Sequence, residues 1–503
     1  MSDRPKTLGE LKESGYRQRS IKEEMRENLI EHLSSGGSRL FPDVLGFEDS
    51  VEPQIANALL AKHDILLLGL RGQAKTRIAR SLTRFLDDFL PIVAGSEVND
   101  DPLAPVSHFG RATIEEKGDA ALIEWVAAEQ RYGEKLATPD VSIADLIGDI
   151  DPIKAANRRL SFADERAIHF GIIPRTNRGI FVVNELPDLQ PRIQVGLFNI
   201  MQERDIQIRG FNIRFPLDVV IVFTANPQDY TNRGAIITPL KDRIDSQILT
   251  HYPRDVSTGI AVMRQEARRA DSVAERLVIP EFIEEIVETT AMQARRSDFV
   301  DQAAGVSVRM TISMLEAVVA NAERRALVLG EEPIVPRMVD LQQGLTGVTG
   351  KTELVFEGEQ EGPITVAKAL VGLGVRSVFE RYFPHPNRKG TSDAESTDPY
   401  AKILAWFAGG NSVTIDDAMS TADYVTTLSS VPGLADLAAE TLAITPSDLH
   451  MIGLGMEFVL EGLHHHSKVA KDDRGTTAGY RDMVGSIFSS DRAADDEGSG
   501  DWQ

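Results

Sequence analysis

The stretch that decides the fold is DILLLGLRGQAKTR, residues 64–77. Its first part, Ile65–Leu68, is a short apolar run, as is typical of a strand buried on both faces. A glycine-containing loop follows, and a helical segment begins at Lys75. This order of strand, loop and helix predicts a nucleotide-binding domain in which the loop holds phosphate groups.

The loop itself follows the phosphate-binding pattern GxxxxGK[ST] with one departure. Gly69, Gly72, Lys75 and Thr76 match the pattern, and Ala74 stands where it has glycine. In such a loop the backbone N–H groups wrap the phosphates, the lysine lies over the β and γ oxygens, and the hydroxyl binds Mg²⁺. Taken alone, the motif could also be a strand-to-helix turn whose lysine is merely solvated.

Outward from this stretch, apolar runs alternate with helical segments. GIFVVNE and DVVIVFTAN resemble DILLLGL, and segments such as TRIARSLTRFLDDFL lie between such runs. This alternation is typical of a parallel sheet covered by helices. We predict an α/β domain at 41–255, an all-α lid domain at 276–347 and a further helical C-terminal region.

A carboxylate is expected at the end of a strand beside the loop, to polarise the water that attacks the γ-phosphate. The run IFVVNE ends in Asn184 and Glu185, where hhhhDE is the expected pattern. Glu185 is therefore the candidate general base. Asn184 can accept a hydrogen bond from a water in the outer shell of Mg²⁺, but it adds no negative charge.

Three further polar residues complete the constellation. Asn226, in TANP after the next apolar run, can orient the attacking water, although an isolated TANP is an ordinary turn. Arg243, in ITPLKDRIDSQI, can act as an arginine finger for a neighbouring subunit, or form a surface salt bridge with Asp242 or Asp245. Arg309, in GVSVRMTI, can fold over the nucleotide in cis, or serve as a helix-start surface residue.

With these elements in order, residues 41–347 resemble the AAA+ ATPases, and within them the ATPase subunit of magnesium chelatase and its MoxR-like relatives. The resemblance rests on GLRGQAKT, RTNRGIFVVNE, TANP, LKDRI and GVSVRMTI. Two more segments are similar to features of this clade: an insert in the second helix at about 138–179 and a β-hairpin before the sensor strand at about 204–216. Alanine before the lysine also occurs in MoxR relatives.

The resemblance implies ATP and Mg²⁺ as cofactors, with Thr76 on the metal and Asn184 in its outer shell. It implies Glu185, Asn226 and Arg243 as the catalytic residues. The implied nucleotide-binding residues are Gly69, Leu70, Arg71, Gly72, Gln73, Ala74, Lys75, Thr76 and Arg309. It also implies a hexameric ring with ATP between protomers, Arg243 acting in trans, and a separate partner with a von Willebrand A-type domain.

Composition narrows the class of protein. The 503 residues include 54 basic and 76 acidic side chains, a formal net charge of −22, which disfavours nucleic acids and anionic membranes as partners. The absence of cysteine excludes disulfides and thiolate metal sites. No apolar run approaches 18 residues, so no membrane span is expected and we predict a cytoplasmic protein.

The remaining segments carry weaker signals. We predict an N-terminal helical extension at 1–40, a helical extension at 348–385, a linker at 386–399, a small helical region at 400–482 and a disordered acidic tail at 483–503. The triplet His464–His466 suggests metal binding, but consecutive helical residues point about 100° apart and cannot converge on one ion.

The function indicated first is an ATP-driven motor that remodels a partner protein or supports metal insertion or maturation. A second interpretation is a nucleotide-gated scaffold with little hydrolysis, because Asn184 replaces the aspartate. A third is a transcriptional activator of the enhancer-binding type, against which the sequence has no GAFTGA-like loop and no basic helix-turn-helix.

Overall fold

The computed structural model describes residues 4–37, 39–151, 153, 165–207, 214–227, 235–386 and 398–483. The chain divides into two compact units, with the boundary between Tyr252 and Pro253. Within the described residues, no helix is both long and apolar enough to cross a membrane.

The first unit contains eleven strands in its described part. They are β1 Ile65–Leu68, β2 Phe89–Val93, β3 Ile123–Ala127, β4 Tyr132–Leu136, β5 Gly148–Ile150, β6 Ile168–Phe170, β7 Gly179–Asn184, β8 Asp205–Gln207, β9 Arg214–Pro216, β10 Val219–Ala225 and β11 Ser246–Leu249. Five of them form one sheet in the order β11-β1-β10-β7-β4, and every neighbouring pair is parallel. The predicted α/β fold with a parallel sheet is confirmed.

The three central strands are the apolar runs of the sequence. All residues of β1 and β10 are buried, and β7 is buried up to Val183. Register pairs Leu68 with Ala225 and Phe223 with Val183, so the carboxyl ends of β1, β10 and β7 lie side by side. Polar residues that follow these strands are therefore collected at one edge of the sheet.

Helices surround this sheet in the first unit. The α-helices are Leu8–Glu13, Ile21–Ser34, Val51–Leu60, Lys75–Ser81, His108–Lys117, Ile143–Leu146, Ile172–Arg175, Pro191–Gln202 and Thr238–Lys241. Short 3₁₀-helices lie at Leu82–Phe85, Gly118–Ala120, Ala128–Arg131, Glu165–Ala167 and Leu186–Asp188.

The segment predicted as an N-terminal extension is part of the core of this unit. Its helix Ile21–Ser34 begins at Ser20 with a capping box to Glu23. Ile21, Met25 and Leu29, none more than 1% exposed, belong to the same apolar cluster as Ile65 and Leu67 of β1.

Two ion pairs tie the same helix to the rest of the unit. The Nη1 and Nη2 atoms of Arg131 donate to the two carboxylate oxygens of Glu24, each at 2.7 Å, and both residues are buried. Lys22 Nζ lies 3.0 Å from Asp64 Oδ2, beside the start of β1. The helix is therefore held by apolar packing and by charge pairs.

The two segments assigned to the clade-specific insert and hairpin contain paired strands. β5 and β6 are antiparallel within 138–179, and the positions 152 and 154–164 of that segment lie outside the described residues. β8 and β9 are antiparallel at 204–216, with the turn at 208–213 also outside.

The second unit is mostly helical, as predicted. Its α-helices are Val256–Glu266, Asp271–Ala274, Glu281–Ala294, Arg309–Leu329, Leu341–Thr349, Phe356–Glu361, Pro363–Tyr382, Ala401–Ala408, Thr421–Ser429, Leu434–Thr441 and Leu449–His465, with a 3₁₀-helix at Met338–Asp340. One continuous apolar cluster runs from Ile260 to Tyr480, so the segments predicted separately at 276–347, 348–385 and 400–482 share a core.

The region at 400–482 differs from the prediction because it also contains a sheet. Strands β12 Val413–Asp416, β13 Val469–Arg474 and β14 Thr477–Asp482 form an antiparallel sheet in the order β12-β14-β13. In β14, buried Ala478 and Tyr480 alternate with partly exposed residues, as in a strand with one face on the core. Most of the predicted linker, 387–397, and the tail from 484 onward lie outside the described residues.

Candidate functional site

The loop after β1 contains two residues with left-handed backbone conformations. Gly72 has φ +73°, and Ala74, directly before the helix Lys75–Ser81, has φ +54° and ψ +15°. This conformation disfavours residues with a Cβ by roughly 1–2 kcal/mol, which explains why the pattern has glycine here. The Ala74 side chain packs against the apolar cluster behind the loop, and this packing offsets part of the cost.

The start of the loop is held by residues that follow β11. Gln73 Oε1 accepts hydrogen bonds from Leu70 N at 2.9 Å and from Thr250 Oγ1 at 2.9 Å. A Cβ on Gly69 would lie only 1.9 Å from Thr250 Oγ1, so this position requires glycine. Tyr252 Oη donates to Arg71 O at 2.9 Å. Loop and strand end thus form one connected structure.

The lysine of the loop lies inside this structure. Lys75 is 7% exposed, and its Nζ donates to the carbonyl oxygens of Gly69 and Leu70, the latter at 3.1 Å. Thr76, the next residue, is exposed. The loop therefore presents a cationic group from within and a hydroxyl at the surface.

Asn184 and Glu185, at the end of β7, lie at the same edge of the sheet as the loop. Glu185 has a left-handed backbone, φ +55° and ψ +52°. Its N–H donates to Thr224 Oγ1 at 3.1 Å, and this hydroxyl in turn donates to Asn184 Oδ1 at 3.3 Å. Thr224, only 1% exposed, therefore links the end of β10 to both residues.

Asn226 follows β10, between the loop strand β1 and the Glu185 strand β7. It is 4% exposed, and within the described ranges its side-chain Oδ1 has no hydrogen-bond partner. A buried amide oxygen without a partner costs about 1–3 kcal/mol, so such a group is typical of a position that meets a ligand or water.

Of the two predicted arginines, Arg243 lies in the first unit and Arg309 lies in the second unit. Arg243, partly exposed, donates to Gln202 Oε1 at 3.2 Å and to Pro239 O at 2.7 Å, with its guanidinium 5.1 Å from the centre of the Phe198 ring. Arg309 is the exposed first residue of the helix Arg309–Leu329 in the second unit.

Sequence reasoning missed three residues that shape this edge. Thr250 and Tyr252 follow β11, whose sequence SQIL is not an apolar run and gives no strong strand signal. Thr224 was read only as part of TANP. Its hydroxyl contact with the end of β7 depends on the register between β10 and β7, which the sequence does not show.

Comparisons with known proteins establish no family for the chain. No family model matches it, and no curated protein is similar to it. Among solved structures, a cryo-EM-based model of the complex between subunits BchI and BchD of magnesium chelatase is 20% identical with a TM-score of 0.33, covering 64% of this chain and 98% of that chain.

Structures of NtrX from Brucella abortus are also similar. One is 14% identical with a TM-score of 0.33 and covers 54% of this chain, which spans about half, 48%, of that chain. Another, in complex with ATP, is 13% identical with a TM-score of 0.33, covering 88% of this chain and 68% of that chain. At these TM-scores the likeness carries no argument about activity, which has to come from the chain's own residues.

Proposed function

We propose that the chain is an ATP-hydrolysing motor of the AAA+ type that drives remodelling, or metal insertion or maturation, through a partner protein. One observation carries the proposal: the loop containing Lys75, the buried Asn226 and the Asn184–Glu185 pair follow three adjacent parallel strands. A phosphate group at the loop would face a general base and a water-orienting amide at the same sheet edge.

The residues at this edge have distinct roles in the proposed reaction. Lys75 Nζ, now on the carbonyls of Gly69 and Leu70, can exchange these for β and γ phosphate oxygens of ATP. Glu185 takes a proton from water as the water oxygen bonds to the γ-phosphorus. Asn226 Oδ1 accepts a hydrogen bond from the other O–H of that water and so orients it. The bond from the γ-phosphorus to the bridging oxygen breaks, leaving ADP and phosphate.

The donor set also fits Mg²⁺. The exposed Thr76 hydroxyl would hold the ion, which would supply positive charge to the phosphates, and Asn184 would accept a hydrogen bond from its water shell. Asn184 Oδ1 already accepts from Thr224, so the amide is oriented even though it carries no charge.

This neutral Asn184 favours a second candidate, a nucleotide-gated scaffold that binds ATP but hydrolyses it slowly. Asn184→Asp separates the two, because the hydrogen bond from Thr224 can be kept while a negative charge is added. A large acceleration of single-turnover hydrolysis with Mg²⁺ supports the scaffold. An unchanged rate in a wild type that already turns over supports the motor.

The central experiment measures ATP binding and steady-state hydrolysis for Lys75→Ala and Glu185→Gln. We expect Lys75→Ala to lose nucleotide binding, and Glu185→Gln to bind ATP but to hydrolyse it about 10²–10⁴-fold more slowly. Lys62→Ala, which removes an exposed lysine paired with Glu23, is the control and should be unaffected. The proposal fails if both site variants keep wild-type hydrolysis.

We further propose that the subunits form a ring in which the partly exposed Arg243 reaches the ATP site of the neighbouring subunit. If Arg243 acts in trans, Arg243→Ala subunits lack the finger and Lys75→Ala subunits lack the site, so each is inactive alone. Mixing the two should restore part of the activity, because some interfaces then combine an intact site with an intact finger. No restoration in mixed rings would remove Arg243 from the trans role.

The partner, proposed to carry a von Willebrand A-type domain, is sought by pull-down with the full chain and a non-hydrolysable ATP analogue. Lys75→Ala serves as the matched bait that cannot assemble with nucleotide. A partner captured only by the nucleotide-bound wild type supports a motor acting on that protein.

Arg309, proposed to contact the nucleotide in cis, is tested by the ATP affinity of Arg309→Ala.

A further inference from the structure

Three side chains that can bind a metal ion meet in the second unit, and none of them belongs to the proposed ATP site. Glu380 lies two residues before the end of the helix Pro363–Tyr382, and His385 lies three residues after that end. His466 is the C-cap residue, directly after the helix Leu449–His465. One ligand atom from each side chain lies within 4.8 Å of the other two.

The spacing of these atoms approaches that of a tetrahedral site. Glu380 Oε1 is 3.5 Å from His466 Nε2 and 3.8 Å from His385 Nε2. A tetrahedral Zn²⁺ with bonds of about 2.0–2.2 Å keeps its ligand atoms about 3.3–3.6 Å apart. Small side-chain rotations of His385 and Glu380, whose side chains are 40% and 38% exposed, bring the set to this spacing.

His466 is the fixed member of the set. Its side chain is 0% exposed, and neither ring nitrogen has a hydrogen-bond partner among the residues that the structure describes. A buried imidazole without hydrogen-bond partners is typical of a position that binds a ligand.

The surroundings hold the three residues in place. The ring of Phe379 lies 5.8 Å from that of His466, and a Cβ on Gly462 would lie 2.1 Å from a Phe379 ring carbon, so the two helices approach closely. Tyr400 Oη donates to Pro384 O at 2.6 Å, directly before His385. These contacts fix the backbone positions from which the three side chains meet.

We infer that Glu380, His385 and His466 form a binding site for one divalent transition-metal ion of the zinc class, with water in the fourth position. Two imidazoles and one carboxylate are donors that Zn²⁺ accepts, and three protein ligands leave one position open. Arg376 Nε, which donates to Glu380 Oε1 at 3.2 Å, competes for the carboxylate and would turn away on metal binding.

The other two histidines of the triplet provide matched controls. His464 Nδ1 lies 3.1 Å from Val469 O, and His465 Nε2 lies 3.6 Å from Glu461 Oε2. The His464 and His465 rings therefore have other partners, and of the triplet only His466 belongs to the cluster. A site that depended on the triplet as a tag-like sequence would need all three.

The experiment titrates the nucleotide-free full chain with Zn²⁺ in competition with a chromophoric chelator, and with Co²⁺ to record its d–d absorption. We expect one ion per chain and a four-coordinate Co²⁺ spectrum. Glu380→Gln and His385→Ala, at partly exposed positions, should weaken Zn²⁺ binding by more than about 100-fold while keeping the fold. His464→Ala should leave binding unchanged.

Two results overturn the inference. One is a wild-type chain that binds no stoichiometric Zn²⁺ at micromolar concentration. The other is binding that is equally strong in Glu380→Gln, His385→Ala and His464→Ala, which would assign the ion to other residues. His466→Ala is interpreted only if its thermal unfolding matches that of the wild type without metal.

Discussion

Two regions of the molecule differ in whether their buried polar groups are paired. One is the loop edge of the first unit, where the loop containing Lys75 lies beside the ends of β7 and β10, and the other is the core of the second unit. At the loop edge, Asn226 is buried with its amide oxygen unpaired within the described residues, and Lys75 is held by carbonyls that a phosphate can replace. In the second unit, Arg325 and Asp340 are buried and paired through two hydrogen bonds of 2.7 and 2.9 Å. The loop edge thus leaves hydrogen-bonding capacity open for a ligand, whereas the Arg325–Asp340 pair uses this capacity within the protein and serves its structure.

The interior of the second unit extends this pairing beyond one ion pair. Glu457 accepts hydrogen bonds from Met338 N at 2.9 Å and from the Tyr424 hydroxyl. Lys471 Nζ lies 2.6 Å from Glu461 Oε1. These groups lie on different helices and strands, so each pair connects separate elements of the core.

The largest expected effect breaks the Arg325–Asp340 pair. Asp340→Ala leaves a buried guanidinium without its counter-charge, and we expect the free energy of unfolding to fall by about 3–5 kcal/mol. Denaturant unfolding of the second-unit transition measures it. Glu332→Ala, which breaks the exposed pair with Arg276, is the control and should cost less than about 1 kcal/mol. Equal losses in both variants would contradict the structural role of the buried pair.

The next effect concerns pH. Burial raises the pKa of Glu457 from 4.5 to about 7, partly opposed by the hydrogen bond from Tyr424. Between these values the folded chain holds a proton that the unfolded chain has released, so stability is present below pH 4.5 and is lost as pH rises through about 7.

Replacing the carboxyl tests this directly. Glu457→Gln should remove on the order of 3 kcal/mol of the fall in unfolding free energy between pH 4.5 and 7.5, since the carboxamide keeps the accepting oxygen and cannot ionise. Urea unfolding at several pH values measures the slope. Glu440→Gln, at an exposed position, should reproduce the wild-type slope, and a Glu457→Gln slope equal to it would refute the assignment.

A smaller effect is expected from the hydroxyl that joins β7 and β10 at the loop edge. Thr224→Val leaves the Glu185 N–H and Asn184 Oδ1 without this partner, at a cost of about 1–3 kcal/mol in unfolding free energy. ATP hydrolysis should fall as well, because Glu185 loses its backbone anchor. Thr224→Ser keeps the hydroxyl and should recover both; a serine variant as impaired as valine would exclude the hydrogen bonds as the cause.

The smallest effect tests the alanine of the loop. Ala74→Gly relieves the left-handed strain but adds backbone entropy to the unfolded chain, so we expect a change within about 1 kcal/mol and unaltered ATP affinity. Ala74→Val, with a β-branched side chain at positive φ, should lower stability by about 1–3 kcal/mol. Thermal unfolding distinguishes them, and a large loss in the glycine variant would show that the methyl packing dominates.

Sequence reasoning succeeded where the physical signal is local. β1, β7 and β10 are buried on both faces and appear as apolar runs, and the polar residues at their ends follow directly in the chain. It failed at edge strands such as β4, YGEKL, whose partly exposed residues give no such run. It also could not place Glu380 beside His466, because their proximity depends on the packing of two helices.

The buried pair of Glu24 and Arg131 sets a limit on where the first unit can be shortened. A chain shortened to begin at residue 41 would match the domain boundary predicted from the sequence. It would lose Glu24 and so leave the Arg131 cation without a counter-charge in an apolar interior. It would also lose the isoleucine, methionine and leucine side chains that pack against one face of the sheet. Uncovered faces of this kind drive aggregation in solution. Recombinant fragments therefore have to retain the helix Ile21–Ser34 to remain dispersed and catalytically testable.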